Sequence, residues 1–175
     1  GTGGVIHLWR IPSGRPAATW TLNGAWPLGS SIVFSRDGRR IAVAADARSP
    51  SAPETVRGRI LIFEESSPAP VDSFFVPFLP GRAIFLPDGS GVLYVDGPRT
   101  HLWDFRRRAE VAVLSPPESC YVTAVTPDGS RILTGGSDAT LRVWDAARRQ
   151  LLLTIRLSST VTAVAVSPDG SRIAA

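Results

Sequence analysis

The sequence has no lysine, no methionine and a single cysteine, Cys120, among its 175 residues. One cysteine excludes an intramolecular disulfide framework and a zinc site built from several cysteines. No apolar run approaches the roughly 20 residues that a membrane-spanning helix needs. An apolar share of 43% is too high for a disordered chain. The composition therefore predicts a folded domain with a sizeable core.

The positive charge comes from arginine alone, since all 19 basic residues are arginines and the formal net charge is +4. An excess of arginine is compatible with nucleic-acid binding. However, 15 acidic residues are interspersed with the arginines, and a genome rich in G and C replaces lysine codons with arginine codons. We therefore attribute the bias to such a genome and expect no nucleic-acid partner.

The dipeptide Asp-Gly recurs at intervals of 51, 40 and 41 residues. Each copy lies between two short apolar runs, an arrangement that predicts a β-hairpin whose turn uses the positive φ of glycine. The copies are Asp37-Gly38, Asp88-Gly89, Asp128-Gly129 and Asp169-Gly170. A period of about forty residues is typical of repeat proteins whose unit is a small sheet.

A second series of residues keeps step with the hairpins. Its members are aromatic, and Asp follows the last two of them: Trp9, Phe63, Trp103-Asp104 and Trp144-Asp145. A further strand-like run follows each aromatic residue. Each unit therefore holds four short strands, here called a to d, with Asp-Gly in the a–b turn and the aromatic residue near the end of strand c. One insertion of about ten residues lies between Gly38 and Phe63.

These features resemble the WD-repeat family of β-propellers, in degenerate repeats of a bacterial type. The best match runs from Ser130 to Asp145 and includes Asp138 in the b–c turn. The Gly-His pair that usually precedes strand a in this family is missing here. The resemblance therefore implies only part of the family's buried hydrogen-bond network, held by Asp138, Trp144 and Thr134. TolB-like propellers share the Ser-Pro-Asp-Gly hairpin and are the nearest competing family.

The resemblance implies an all-β propeller segment of four-stranded antiparallel blades, with about four blade-equivalents. Three full blades are expected over 30–81, 82–120 and 121–160, and two half blades over 1–29 (strands c and d) and 161–175 (strands a and b). Strands are expected near 31–35, 40–45, 59–64, 82–86, 91–95, 99–104, 121–126, 131–135, 140–145, 150–156 and 161–166. We expect 1–175 to be one segment of a larger propeller that is able to self-associate through open blade ends.

The sequence contains no recognisable catalytic or metal-binding constellation. His7 and His101 both stand two positions before a strand c aromatic residue, and we interpret them as side chains packed between blades. Cys120 is interpreted as a packing residue at a strand edge, because nothing beside it supports a reactive thiol. We therefore predict no enzymatic activity, no cofactor and no bound metal.

Arginines cluster where the repeat places its c–d turns, and these are candidate partner-binding residues: Arg106, Arg107, Arg108, Arg148 and Arg149. The insertion over 46–58 adds Asp46, Arg48 and Arg57, and we expect it to be the most mobile internal segment. It is a b–c loop, and such loops open on the face where WD-repeat proteins commonly bind peptides. A solvated rim and an unselected insertion are the alternative interpretations.

The resemblance thus implies a non-enzymatic scaffold, cytoplasmic in location, that binds a protein or peptide of unknown identity and no membrane. The alternative is a regulatory or substrate-gating propeller domain of a larger enzyme, such as a signalling kinase or a peptidase.

Overall fold

The computed structural model describes residues 4–22, 25–47, 58–77, 80–114 and 120–175. The regular secondary structure in these ranges consists of β-strands alone, which confirms the predicted all-β class. No helix long and apolar enough to cross a membrane occurs in these ranges. The chain forms two compact units, Gly1–Pro80 and Gly81–Ala175.

The first unit contains a two-stranded and a four-stranded sheet. Strands β1 (Val5–Trp9) and β2 (Pro16–Thr21) form an antiparallel pair. The first four-stranded sheet has the order β3-β4-β5-β6 and consists of β3 (Trp26–Phe34), β4 (Arg40–Asp46), β5 (Gly58–Glu64) and β6 (Asp72–Val76). Because strand order follows chain order, this sheet has the meander of a propeller blade.

The second unit repeats this pattern. The second sheet consists of β7 (Pro80–Phe85), β8 (Gly91–Asp96), β9 (Arg99–Asp104) and β10 (Ala109–Leu114). The third consists of β11 (Cys120–Val125), β12 (Arg131–Gly136), β13 (Thr140–Asp145) and β14 (Leu151–Arg156). A last antiparallel pair joins β15 (Ala165–Val166) and β16 (Ile173–Ala174). Sheets of four antiparallel strands are therefore confirmed in both units.

Two predicted strands differ from the structure. The strand expected near 161–166 is reduced to β15. At the start of the expected range the Val161 N–H donates instead to the carbonyl of Gly136 at the end of β12, 3.0 Å away. Strand β3 begins at Trp26 rather than near residue 31, and its pairing with β4 shifts between Pro27 and Ile32. Proline at position 27 concealed this extension, since proline rarely lies within a strand.

The core of the first unit joins the β1–β2 pair to the first sheet. Ile6 and Trp20 pack with Ile41, Val43 and Phe63 in one buried cluster. The rings of Trp20 and Phe63 lie 5.2 Å apart between centroids. Strand β4 is buried along both faces from Ile41 to Ala45, so it needs apolar residues at successive positions rather than at alternate ones.

The core of the second unit lies between its two four-stranded sheets. Leu93 and Leu114 of the second sheet pack against Ile132 and Trp144 of the third. Strand β8 is buried at every position. Face-to-face packing of neighbouring sheets thus accounts for strands that are apolar on both sides.

A glycine sets the spacing on the other face of the third sheet. A Cβ atom added to Gly135 would lie 2.5 Å from Cγ1 and 2.8 Å from Cβ of Val161. Val161 is itself buried. The segment that leads to β15 therefore packs directly against the backbone of β12, and only glycine permits this approach.

We predict that Gly135→Ala lowers the free energy of unfolding by about 1–3 kcal/mol, because the added methyl group overlaps Val161. Gly81→Ala is the matched control, since its Cβ would lie 3.7 Å from Val95, an ordinary contact. Urea denaturation measures both variants, and Val161→Ala in the Gly135→Ala background should restore part of the loss. Equal effects of the two alanine substitutions would contradict the prediction.

Candidate functional site

The a–b and c–d turns of each sheet in the second unit lie side by side. The Phe105 N–H donates to the carbonyl of Ser90 at 3.0 Å, and the Ala146 N–H donates to the carbonyl of Ser130 at 3.1 Å. Each bond joins a c–d turn to the a–b turn of the same sheet. These a–b and c–d turns lie at the same end of the strands of the second and third sheets, and we call them together the turn rim.

Three of the four Asp-Gly hairpins share a hydrogen-bond pattern that the sequence analysis missed. A hydroxyl two residues before the Asp donates to its Oδ1 at 2.5–2.6 Å, and accepts an N–H from the arginine three residues after the Asp at 2.9–3.0 Å. The sets are Ser35, Asp37 and Arg40; Thr126, Asp128 and Arg131; and Ser167, Asp169 and Arg172. The recurring Ser or Thr two positions before Asp was the available signal.

The glycines of all four Asp-Gly hairpins adopt the predicted positive φ, with values of 69° at Gly38, 71° at Gly89, 74° at Gly129 and 74° at Gly170. The hairpin of Asp88 has Leu86 in place of the hydroxyl. Asp88 accepts only the Ser90 N–H at 3.0 Å and the Ser90 hydroxyl at 2.8 Å among the hydrogen bonds of this turn.

The hydroxyl donors also set the charge state of the turns. The Thr126 hydroxyl and the Ser130 donors lower the pKa of Asp128 to about 2. The Ser167 hydroxyl and the Ser171 N–H lower the pKa of Asp169 to about 2. The Ser35 hydroxyl lowers the pKa of Asp37 as well. These carboxylates therefore stay ionised and bonded to their own turns at neutral pH.

The two c–d turns of the second unit have the same backbone hydrogen bond at the predicted arginines. Asp104 Oδ1 accepts the Arg107 N–H at 2.8 Å, and Asp145 Oδ1 accepts the Arg148 N–H at 2.7 Å. The residues that follow have left-handed backbone, with φ of 51° at Arg108 and 60° at Arg149. The Asp of each Trp-Asp pair thus fixes the turn that displays two adjacent arginines.

A third c–d turn has glycine at the position with left-handed backbone. Gly14 lies five residues after Trp9, as Arg149 lies five after Trp144, and has φ of 65°. Its N–H donates to the carbonyl of Arg10 as that of Arg149 donates to the carbonyl of Asp145. Left-handed backbone costs a residue other than glycine on the order of 1–3 kcal/mol. Arg108 and Arg149 therefore occupy a position where glycine would be unstrained.

The predicted arginines are exposed. Arg106, Arg107, Arg108, Arg148 and Arg149 all lie at the protein surface. Arg148 still contacts Asp145 Oδ2 at 3.4 Å, with three quarters of its side chain accessible. Solvent screens such a contact, so it leaves the guanidinium available to another anion.

The corresponding c–d turn of the first sheet has the opposite charge. Glu64 and Glu65 follow Phe63 there, and Glu65 forms an ion pair with Arg10. An open hollow of about 620 Å³ is lined by Ala17, Gly38, Arg39, Glu64, Glu65 and Ser66. Its charges are mixed, whereas the c–d turns of the second unit present arginine pairs.

Of the buried network that the resemblance implied, the third sheet contains the bond between Trp144 and Thr134, whereas Asp138 bonds to Thr140 and Arg142. Trp144 Nε1 donates to Thr134 Oγ1 at 2.8 Å. Asp138 Oδ1 accepts the Thr140 N–H at 3.1 Å and the Thr140 hydroxyl at 2.8 Å. Asp138 also pairs with the buried Arg142, which was not singled out in the sequence. Arg142 lowers the pKa of Asp138, so the pair is charged.

The aromatic series is buried to different extents. Phe63 is fully buried, Trp144 is 9% exposed and Trp103 is half-buried. Trp9 differs, since 56% of it is exposed. Ile6 and Leu8 face the core from the same strand, so alternation turns Trp9 outward. Trp20 was missed; it is buried and donates from Nε1 to the carbonyl of Ser67 at 2.8 Å.

The two histidines have different environments. His101 is buried, contacts Glu110 Oε2 through Nδ1 at 2.7 Å and stacks on Tyr94. The interpretation of His7 as a packed side chain was wrong: it is exposed, and its Nδ1 contacts the Thr19 hydroxyl at 3.1 Å. Within the described ranges no three His, Cys, Asp or Glu residues converge as a metal site. Burial raises the pKa of the Cys120 thiol, which disfavours the thiolate.

The predicted insertion lies largely outside the described residues. Asp46 ends β4 and pairs with Gly58 at the start of β5. Arg48, Arg57 and the expected mobility of this segment belong to residues 48–57, which the structure does not describe.

A family model described as "WD domain, G-beta repeat" matches residues 109–145. The chain carries a WD repeat. The match begins in β10 of the second sheet and ends with Asp145 of β13, so it contains Thr134, Asp138 and Trp144. The matched range therefore covers the last strand of the second sheet and the first three strands of the third. A search of curated proteins finds no match to the chain.

We predict that Thr134→Val costs about 1–3 kcal/mol of stability, because it leaves the buried Trp144 N–H without its acceptor. Thr134→Ser keeps the hydroxyl and should cost clearly less. Chemical denaturation of both variants gives the comparison. Equal losses in the two variants would mean that the hydrogen bond contributes nothing measurable.

We also predict an acid-sensitive contribution from Asp128. Its pKa is lowered in the folded state to about 2 from an ordinary value of 3.8, so the stabilisation is present above about pH 4 and is lost as the pH falls towards 2. Asp128→Asn should reduce stability at neutral pH and flatten the dependence between pH 4 and 2. Asp88→Asn is the control, because Leu86 stands where Thr126 donates its hydroxyl to Asp128. The measurement is the urea midpoint of each variant across this pH range. Identical pH profiles for the wild type and Asp128→Asn would contradict the predicted contribution of Asp128.

Proposed function

We propose that this chain is a non-enzymatic scaffold that binds a protein or peptide partner. The observation that carries the proposal is the WD repeat over residues 109–145, which leads directly into a fixed c–d turn with exposed arginines. Repeats of this kind generally serve protein interaction rather than catalysis. A cytoplasmic location and a bacterial origin belong to the same proposal.

The local geometry supports a stiff binding platform. Hydrogen bonds from side chains fix the a–b hairpins of Asp37, Asp128 and Asp169, and carboxylates fix the c–d turns that follow Trp103 and Trp144. A turn that is already ordered loses little entropy when a partner binds. Exposed side chains on such turns can therefore contribute most of their interaction energy to affinity.

We propose that partner binding involves Arg106, Arg107, Arg108, Arg148 and Arg149, together with Asp46, Arg48 and Arg57 of the insertion. The division into blades at 30–81, 82–120 and 121–160, and self-association through open blade ends, are part of the same proposal. The alternative function is a regulatory or substrate-gating propeller within a larger enzyme, in which the same surfaces would contact a neighbouring catalytic domain.

Selection of a phage-displayed random peptide library on the full chain tests the scaffold function. We expect enriched peptides that bind saturably and stoichiometrically in isothermal titration calorimetry after chemical synthesis. Heat-denatured chain serves as the control, because a folded platform is required. If no synthesised peptide binds the folded chain saturably, the proposed function is wrong.

A further inference from the structure

The two c–d turns of the second unit are built alike although their sequences differ. Asp104 and Asp145 each accept the N–H of the residue three positions later, at 2.8 and 2.7 Å. In both turns the next residue is an arginine with positive φ. The pairs Arg107–Arg108 and Arg148–Arg149 therefore occupy equivalent positions on the turn rim, one pair in each neighbouring sheet.

The backbone conformation does not account for an arginine at the second position of each pair. Gly14 occupies the equivalent position after Trp9 with nearly the same φ, and a Cβ added there would meet no atom within 4 Å. Space therefore does not determine the residue type. Glycine would relieve the left-handed backbone at positions 108 and 149, yet both positions hold a long cation. Strain at equivalent positions is typical of binding surfaces, where a side chain is placed for a ligand rather than for stability.

We infer that these two arginine pairs form a docking surface for an acidic peptide segment of a protein partner; this inference rests on the proposed scaffold function. Each guanidinium offers planar donors that match a carboxylate, and an adjacent pair can hold one or two acidic side chains. Because the turns are fixed by Asp104 and Asp145, the four guanidinium groups project from defined points.

The aspartates of the same rim favour a peptide over a nucleic acid. Asp88 and Asp128 are exposed in the two a–b turns, which are hydrogen-bonded to the c–d turns that carry the arginine pairs. A nucleic-acid backbone carries closely and regularly spaced phosphates, so part of it would lie against these carboxylates. A peptide with spaced glutamates can place its charges on the arginines and neutral residues over the aspartates.

The test uses the full chain and a fluorescein-labelled peptide of alternating glutamate and serine, followed by fluorescence anisotropy. The double variant Arg108→Gly, Arg149→Gly should bind this peptide about tenfold more weakly or worse. The same variant should unfold at a higher temperature, by about 2–4 °C per substitution, because glycine relieves the left-handed backbone. Weaker binding together with higher stability is not expected of residues that serve the fold alone.

The control is the double variant Arg82→Ala, Arg156→Ala. Both arginines are exposed, Arg82 near the start of β7 and Arg156 at the end of β14, so they lie at the opposite end of the strands from the turn rim. It should bind the acidic peptide within about twofold of the wild-type chain, since long-range charge alone contributes little at physiological salt. Equal weakening in the two double variants would show that net charge, not the turn rim, determines binding and would overturn the inference.

Two further probes separate this inference from its alternatives. A peptide of alternating glutamine and serine should not bind; if library-selected neutral peptides bind and the acidic one does not, the inference fails while the scaffold function stands. A labelled single-stranded DNA of equal charge should bind more weakly than the acidic peptide. Tighter binding of the DNA, lost in Arg108→Gly, Arg149→Gly, would assign the surface to nucleic acid and refute the acidic peptide.

Discussion

The whole structure depends on the burial of both faces of its inner strands. Strand β8 is buried at every position, and β4 is buried from Ile41 to Ala45. A sheet with such strands cannot face water, so each must pack against a neighbour. In the first unit the β1–β2 pair covers one face of β4, that of Ile41, Val43 and Ala45, through Ile6 and Trp20. In the second unit the third sheet covers the face of β8 that carries Leu93, through Ile132 and Trp144.

Because the sheets pack face to face, the turns at the ends of their strands remain for the proposed binding surface. Polar and charged residues collect in the turns, because the faces are occupied by apolar contacts. The same carboxylates then serve two purposes. Asp104 and Asp145 order the c–d turns by accepting the backbone N–H of Arg107 and Arg148, and in doing so they fix the backbone that carries the exposed arginines. The hydrogen bonds that order these turns therefore also position the proposed interaction surface.

Local chemistry explains which parts of the fold were predictable. The Asp-Gly hairpins were correct because positive φ at glycine is a property of the turn itself. The Trp144–Thr134 bond was anticipated because both residues lie in the best-matching repeat. Trp20, in contrast, has no partner nearby in sequence, since its N–H reaches the carbonyl of Ser67, 47 residues away. The exposure of His7 was not predicted, because the alternation of side chains along a strand does not indicate which face of the strand is buried.

The sequence by itself determined the repeat, its four short strands and the positions of the hairpins, because these follow from turn chemistry and from a period of about forty residues. It also located the arginine clusters. Only the tertiary structure decided which side chains are buried, since burial depends on the neighbouring sheet and not on the strand's own residues. It alone revealed that Arg108 and Arg149 share the left-handed conformation of Gly14. The backbone conformation at those positions is imposed by the turn and by its Asp acceptor. The presence of arginine in the sequence does not indicate that conformation.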